Sequence, residues 1–163
     1  MPTSLEVLTN FVAPLQVIRG MMTDPGYITN RAEQTGATSV KIDVDTDEAG
    51  DTLLTIVRVV PAQLPSFAAS LVGPTLEITE RQAWGGIDDG RCTSTFEVTF
   101  SAPITATGSI SLIEAAGVTS AHTSGHIKST VPFVGGKVEK VALEQMELYL
   151  NKEVAIAQAW LSR

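Results

Sequence analysis

The sequence predicts an α+β fold: a curved antiparallel β-sheet wrapped around a long C-terminal helix, with two short helices after the first strand. Residues 137–162 contain no Pro or Gly. At 3.6 residues per turn, Val138, Ala142, Met146, Tyr149, Leu150, Ile156, Ala157 and Trp160 share one broad face. Glu144, Glu147, Asn151 and Gln158 fall opposite. Such a helix needs an apolar surface to lie on, and most of the chain before it reads as β-strand. The cleanest alternation runs over 91–100, where Cys92, Ser94, Phe96, Val98 and Phe100 oppose Arg91, Thr93, Thr95, Glu97 and Thr99. A sheet curving round one helix can trap a cavity between the two layers.

Residues 3–11 form the first strand, with Leu5, Val7 and Thr9 on one side. Pro14 suits a helix start, and Leu15, Ile18, Met21 and Met22 follow at helical spacing. Asp24-Pro25-Gly26 reads as a break, after which 27–34 make a second short helix ended by Gly36. Val40, Ile42 and Val44 then alternate with polar residues up to the turn DTDEAGD. Residues 52–60 return as a strand whose apolar content on both faces predicts a central strand or one covered on both sides. The stretch PAQLPSFAASLVGP interrupts the meander with a short helix started at Pro65 and ended at Gly73-Pro74. Phe67, Ala68 and Leu71 share a face of it, and the segment is a candidate lid. Residues 76–84 form the next strand, and GGIDDG is a hairpin turn. Strands over 104–113 and 118–131 follow, joined at Ala115-Ala116-Gly117. Pro132 stops the last strand, and Gly135-Gly136 lead into the long helix.

The 163 residues suffice for one domain, 1–163, with a proper core, and 44% apolar with 18% charged residues is a globular composition. A net charge of -7 without a Lys/Arg cluster argues against a nucleic-acid partner. Residues 1–11 lack a basic region followed by an apolar stretch, and no apolar run reaches the length of a membrane span, so a cytoplasmic location is expected. Cys92 is the single cysteine, which excludes an intrachain disulfide and a cysteine-based metal cage. No cofactor is expected, and the chain is expected to be a monomer or homodimer.

This order of elements resembles the helix-grip fold of the START-like superfamily (SRPBCC, Bet v 1-like). More closely, Leu64-Pro65, Leu76-Glu77-Ile78 through Trp84, VPFVGGKVE at 131–139, Glu153 and Trp160 resemble the mainly actinobacterial DUF2505 family. The resemblance spans the whole chain. It implies a START-like fold with a hydrophobic cavity between sheet and C-terminal helix as the functional site. It further implies binding of an apolar small molecule or lipid, as in most of the superfamily, some members of which are polyketide cyclases or dehydratases. No catalytic signature accompanies it.

Among individual residues, Glu153 is the most informative, because it falls near the middle of the apolar helix face, between Tyr149, Ile156 and Ala157. A carboxylate there needs a partner. A structural pair with a group on the sheet is expected, Arg58 first; the alternative is a polar anchor or acid/base inside a cavity. Arg58 lies among Ile56, Val57, Val59 and Val60, and either snorkels outward or faces inward to neutralise Glu153 or hold a ligand carboxylate. Phe67, Leu71, Trp84, Phe96, Met146, Tyr149 and Leu150 would line or gate the cavity.

Other sites fare less well. His122 and His126 share a strand face but lie about 13 Å apart, at roughly 3.3 Å per residue, too far to meet on one zinc, and solvent exposure is expected for both. Asp43, Asp45, Asp47 and Asp51 imitate a calcium loop, but Glu48 and Leu54 replace its Gly and its final Glu, so an acidic turn is expected. There is no P-loop, G-x-G-x-x-G or G-x-S-x-G. Ligand binding without catalysis is the leading expectation. A cyclase or dehydratase using Glu153, or a fully packed interaction module, are the alternatives.

Overall fold

The computed structural model describes residues 2–163. Seven strands, β1 (Thr3–Phe11), β2 (Ser39–Thr46), β3 (Thr52–Pro61), β4 (Thr75–Trp84), β5 (Arg91–Phe100), β6 (Ala102–Ala115) and β7 (Val118–Ser129), form one sheet in the order β1-β7-β6-β5-β4-β3-β2. Every pairing is antiparallel. Helices α1 (Leu15–Met22) and α2 (Pro25–Gln34) follow β1, α3 (Ser66–Val72) lies between β3 and β4, and α4 (Gly135–Leu161) ends the chain.

The strand periodicity sets which side chains face α4. Leu5, Val7 and Phe11 on β1, Cys92, Ser94, Phe96 and Val98 on β5, and Thr119, Ala121, Thr123 and Ile127 on β7 are buried, and their neighbours in sequence face out. Two glycines, paired across β6 and β7, permit a close approach. A Cβ on Gly108 would lie 2.1 Å from the Ser124 carbonyl and 2.8 Å from the tip of Phe96; one on Gly125 would lie 2.2 Å from the Thr107 carbonyl. The ring of Phe96 thus occupies the space a side chain at 108 would need. The β6–β7 hairpin turns at Ala116 (φ 54°) and Gly117 (φ 78°), where both central residues need positive φ.

The inner face carries two apolar clusters. One, at the α1/α2 end, contains Phe11, Ile18, Tyr27, Ile28, Leu54, Trp84 and Leu112 with Ile156 and Ala157 of α4. The other, at the opposite end, contains Leu5, Val7, Ile78, Phe96, Val98, Ala106 and Ile127, against which Ala142, Leu143, Met146 and Leu150 of α4 pack. Helix α1 closes the first end: Arg19 donates to the carbonyls of Gly85 and Gly50, at 2.8 and 2.9 Å, in the β4–β5 and β2–β3 turns. The Leu15 amide donates to Glu114 at 2.7 Å.

Three local expectations change. The first helix does end before Asp24-Pro25-Gly26, but α2 starts at Pro25 rather than at 27, because Asp24 is its N-cap, accepting from the Gly26 amide at 3.1 Å, and Pro25 fills the first turn. Strand β3 is internal to the sheet, between β4 and β2, but is not covered on both faces: Thr52, Leu54 and Ile56 are buried while Leu53 is 61% exposed. Its outward Val57 and Val59 reflect β-propensity more than burial. Strand β7 ends at Ser129, two residues short of 131, and the Ser129 amide there donates to Glu139 of α4.

Candidate functional site

Where the two apolar clusters meet, the space between sheet and α4 holds a polar belt. Glu153 is 6% exposed, and its Oε2 takes an ion pair from Nη1 of Arg31, itself 6% exposed. The Tyr27 hydroxyl donates to the same oxygen at 3.4 Å. The partner therefore comes from α2, not from the sheet, which corrects the expectation of Arg58. Arg31 lies one turn beyond Tyr27 on the buried stripe Tyr27, Ile28, Arg31, Ala32. Burial disfavours its charge, but the fields of Tyr149, Glu153, Glu80 and Tyr27 outweigh that and hold its pKa well above the usual guanidinium value. Burial first, then the charge of Glu153, raises the Tyr27 phenol, so both groups keep their protons. The Arg31 Nε is buried with no acceptor.

Arg58 does face inward. It continues the inner row Thr52, Leu54, Ile56 of β3 and lies opposite Val40 and Ile78, with its guanidinium 4.6 Å from the centre of the Tyr149 ring. The Arg31 guanidinium is 5.7 Å from that ring and 5.6 Å from the Tyr27 ring, and Trp160 meets Tyr27 edge-on at 5.8 Å. Trp160, Tyr27, Arg31, Tyr149 and Arg58 thus form a ladder in which aromatic faces carry the cations, a contact worth about 2 kcal/mol where water is excluded. Burial raises the Tyr149 pKa.

A second row comes from β4. Trp84, 2% exposed, donates its Nε1 hydrogen to Gln82 Oε1 at 2.7 Å, and Gln82 Nε2 donates to Glu80. Alternation with Ile78 and Trp84 aims Glu80 and Gln82 inward. Sequence reading singled out neither these two nor Tyr27 and Arg31, although polar residues interrupting an apolar face were the signal in each case, as for Glu153.

The remaining expected lining residues divide. Phe96 is buried in the second cluster, and Met146 and Leu150 pack half-buried against it. Phe67 and Leu71 are 40% and 39% exposed on α3, where Ala68 alone is buried. His122 and His126 face solvent, and His122 Nε2 lies 2.6 Å from Glu6. Asp47 organises its own turn by accepting from the amides of Ala49 and Asp51. Two depressions of about 330 and 370 Å3 lie on the outer face of the sheet around Leu53 and Ala83, open to solvent, with Trp84 at the edge of one and Gln82 at the edge of the other. No helix among the described residues is long and apolar enough to cross a membrane.

Solved structures share this fold at low identity. The protein TTHA0849 from Thermus thermophilus is 14% identical, with a TM-score of 0.62 over 98% of this chain and 99% of that one. A START superfamily protein from Mycobacterium smegmatis is 13% identical, with a TM-score of 0.58 over 98% and 97%. The human StarD13 (DLC2) lipid transfer and protein localization domain is 11% identical, with a TM-score of 0.54 over 77% of this chain and 62% of that one. No curated protein matches the sequence. The family pattern described as protein of unknown function DUF2505 matches residues 6–161, nearly the whole length, and the chain belongs to the DUF2505 family with a START-like, helix-grip fold.

Proposed function

We propose that residues 1–163 act as one cytoplasmic unit that binds an apolar small molecule or lipid chain between the sheet and the N-terminal half of α4. The observation that carries this is a row of apolar side chains left half-buried around the second cluster: Val60, Leu76, Phe100 and Ile104 on the strands, and Leu143, Met146 and Leu150 on α4. Helix α4 leans on β1 and β7 rather than on β3 to β5, so these residues keep apolar surface that a ligand could cover. The start of α4 and the 61–73 segment lie at that end of the sheet and are the parts that would open for entry. The fold likeness to a lipid transfer domain supports the reading by analogy.

At about 0.8 kcal/mol per buried methylene, a decyl chain offers roughly 7 kcal/mol. That corresponds to a Kd of about 10 µM before the cost of ordering, so a chain alone binds weakly and selectivity must come from elsewhere. Titrating a fluorescent fatty-acid analogue tests the reading. Saturable binding is expected at one ligand per chain, weakened at least tenfold by Met146→Asp. No saturation up to the solubility limit of the probe would replace this reading with a packed interaction module. Acid/base chemistry at Glu153 has less support, because its carboxylate is already committed to Arg31 and Tyr27.

A further inference from the structure

We infer that the ligand carries an acidic head, a carboxylate on its apolar chain, and that Arg58 receives it. This rests on the binding reading above and adds the chemical class of the ligand.

The inference comes from counting donors and acceptors. The ion pairs among the described residues are Arg31–Glu153, Arg81–Glu97 and His122–Glu6, so Arg58 belongs to none. It is nonetheless half-buried on the inner face, flanked by Val40 and Ile78 and laid over Tyr149. A guanidinium has five N–H donors and no acceptor capacity, and a ring face satisfies charge without accepting those hydrogens in a fork. The buried Nε of Arg31, whose guanidinium lies 5.7 Å from the centre of the same Tyr149 ring, also has no acceptor. Donors therefore exceed acceptors at this end of the belt.

The nearby carboxylates do not remove the excess. Glu153 is held by Arg31 and Tyr27, and Glu80, whose charge reaches Arg31 and Tyr149, is hydrogen-bonded to Gln82 rather than to Arg58. Two oxygens in one plane are what a guanidinium fork takes best, and a carboxylate supplies them. The site is also in the right place. Ile78, opposite Arg58, and Leu150, next to Tyr149, both belong to the second apolar cluster. A head at Arg58 directs its chain along that cluster toward Met146 and Leu143.

Three probes with the same tail separate the possibilities: decanoate, decanol and decylamine, titrated calorimetrically into the wild type and Arg58→Gln. Decanoate is expected to bind the wild type at least tenfold more tightly than decanol. Arg58→Gln should abolish that preference, and a cooperative urea unfolding transition shows that the variant is folded. Equal binding of acid and alcohol by the wild type, or tighter binding of the amine, would overturn the acidic head and leave the apolar site standing. An acid preference that survives in Arg58→Gln would overturn the assignment to Arg58. If none of the three probes binds, the binding reading itself fails and this inference falls with it.

Discussion

Arg31 keeps one buried nitrogen without a protein acceptor, a loss of about 1–3 kcal/mol that its other contacts must outweigh. Removing either partner of the Arg31–Glu153 pair strands the other as a buried charge. Arg31→Met and Glu153→Met are each expected to lose about 3–5 kcal/mol of stability. The double variant removes both charges, so it should be less destabilised than the sum of the singles by about 1–3 kcal/mol, as read from urea unfolding. Additive values would mean that the pair is not coupled. The carboxylate in this pair was legible in the sequence, because Glu153 breaks an otherwise apolar helix face. Its partner was equally visible as a type, Arg31 on the buried stripe of α2, but pairing them requires knowing that α2 lies beside α4, 122 residues away in the chain.

Among the elements, the tie between β1, β7 and α4 rests on Glu139. One turn into the helix and 5% exposed, it accepts from the Thr3 hydroxyl at 2.7 Å and from the Ser129 amide at 3.0 Å. The Ser129 amide first, and then the Thr3 hydroxyl, hold its pKa below the ordinary 4.5. A depressed carboxylate stabilises the fold fully above its unfolded pKa, and that stabilisation is lost as the pH falls through the lower folded value. Wild type and Glu139→Gln should therefore differ in unfolding free energy at neutral pH and converge as the pH falls below 4.5. A gap that stays constant down to pH 3, roughly a unit below the usual carboxylate range, would exclude this role. Sequence periodicity marked the face of α4 but gave no hint of this contact, since Glu139 looks like one more charge at a helix start.

Across the whole molecule, strand order brings the β3–β4 connection, the end of β5 and the start of α4 to one end of the sheet, beside the half-buried apolar row. Helix α3, in the β3–β4 connection, buries a single side chain, Ala68, between Pro65 and the left-handed Gly73 (φ 81°). Segments with so little buried surface open locally at low cost. Limited chymotrypsin digestion should cut first within 61–73, next to Phe67 or Leu71, and saturating decanoate should slow that cut several-fold. First cleavage elsewhere, or equal rates with and without ligand, would show that this segment does not cover the site.

The sequence alone determined the kinds and order of elements, because helix and strand periods, prolines and turn glycines act within a few residues of themselves. It also located the long helix, its apolar face and the misplaced carboxylate upon it. The tertiary structure decided which groups meet: Arg31 with Glu153, Arg58 with Tyr149, Glu139 with Thr3 and Ser129. It also decided that Leu53 faces water although the pattern around it is apolar. Those outcomes depend on the sheet order and on where α2 and α4 lie across it. No local period encodes them, because all but the contact of Ser129 with Glu139 join residues that the chain keeps far apart.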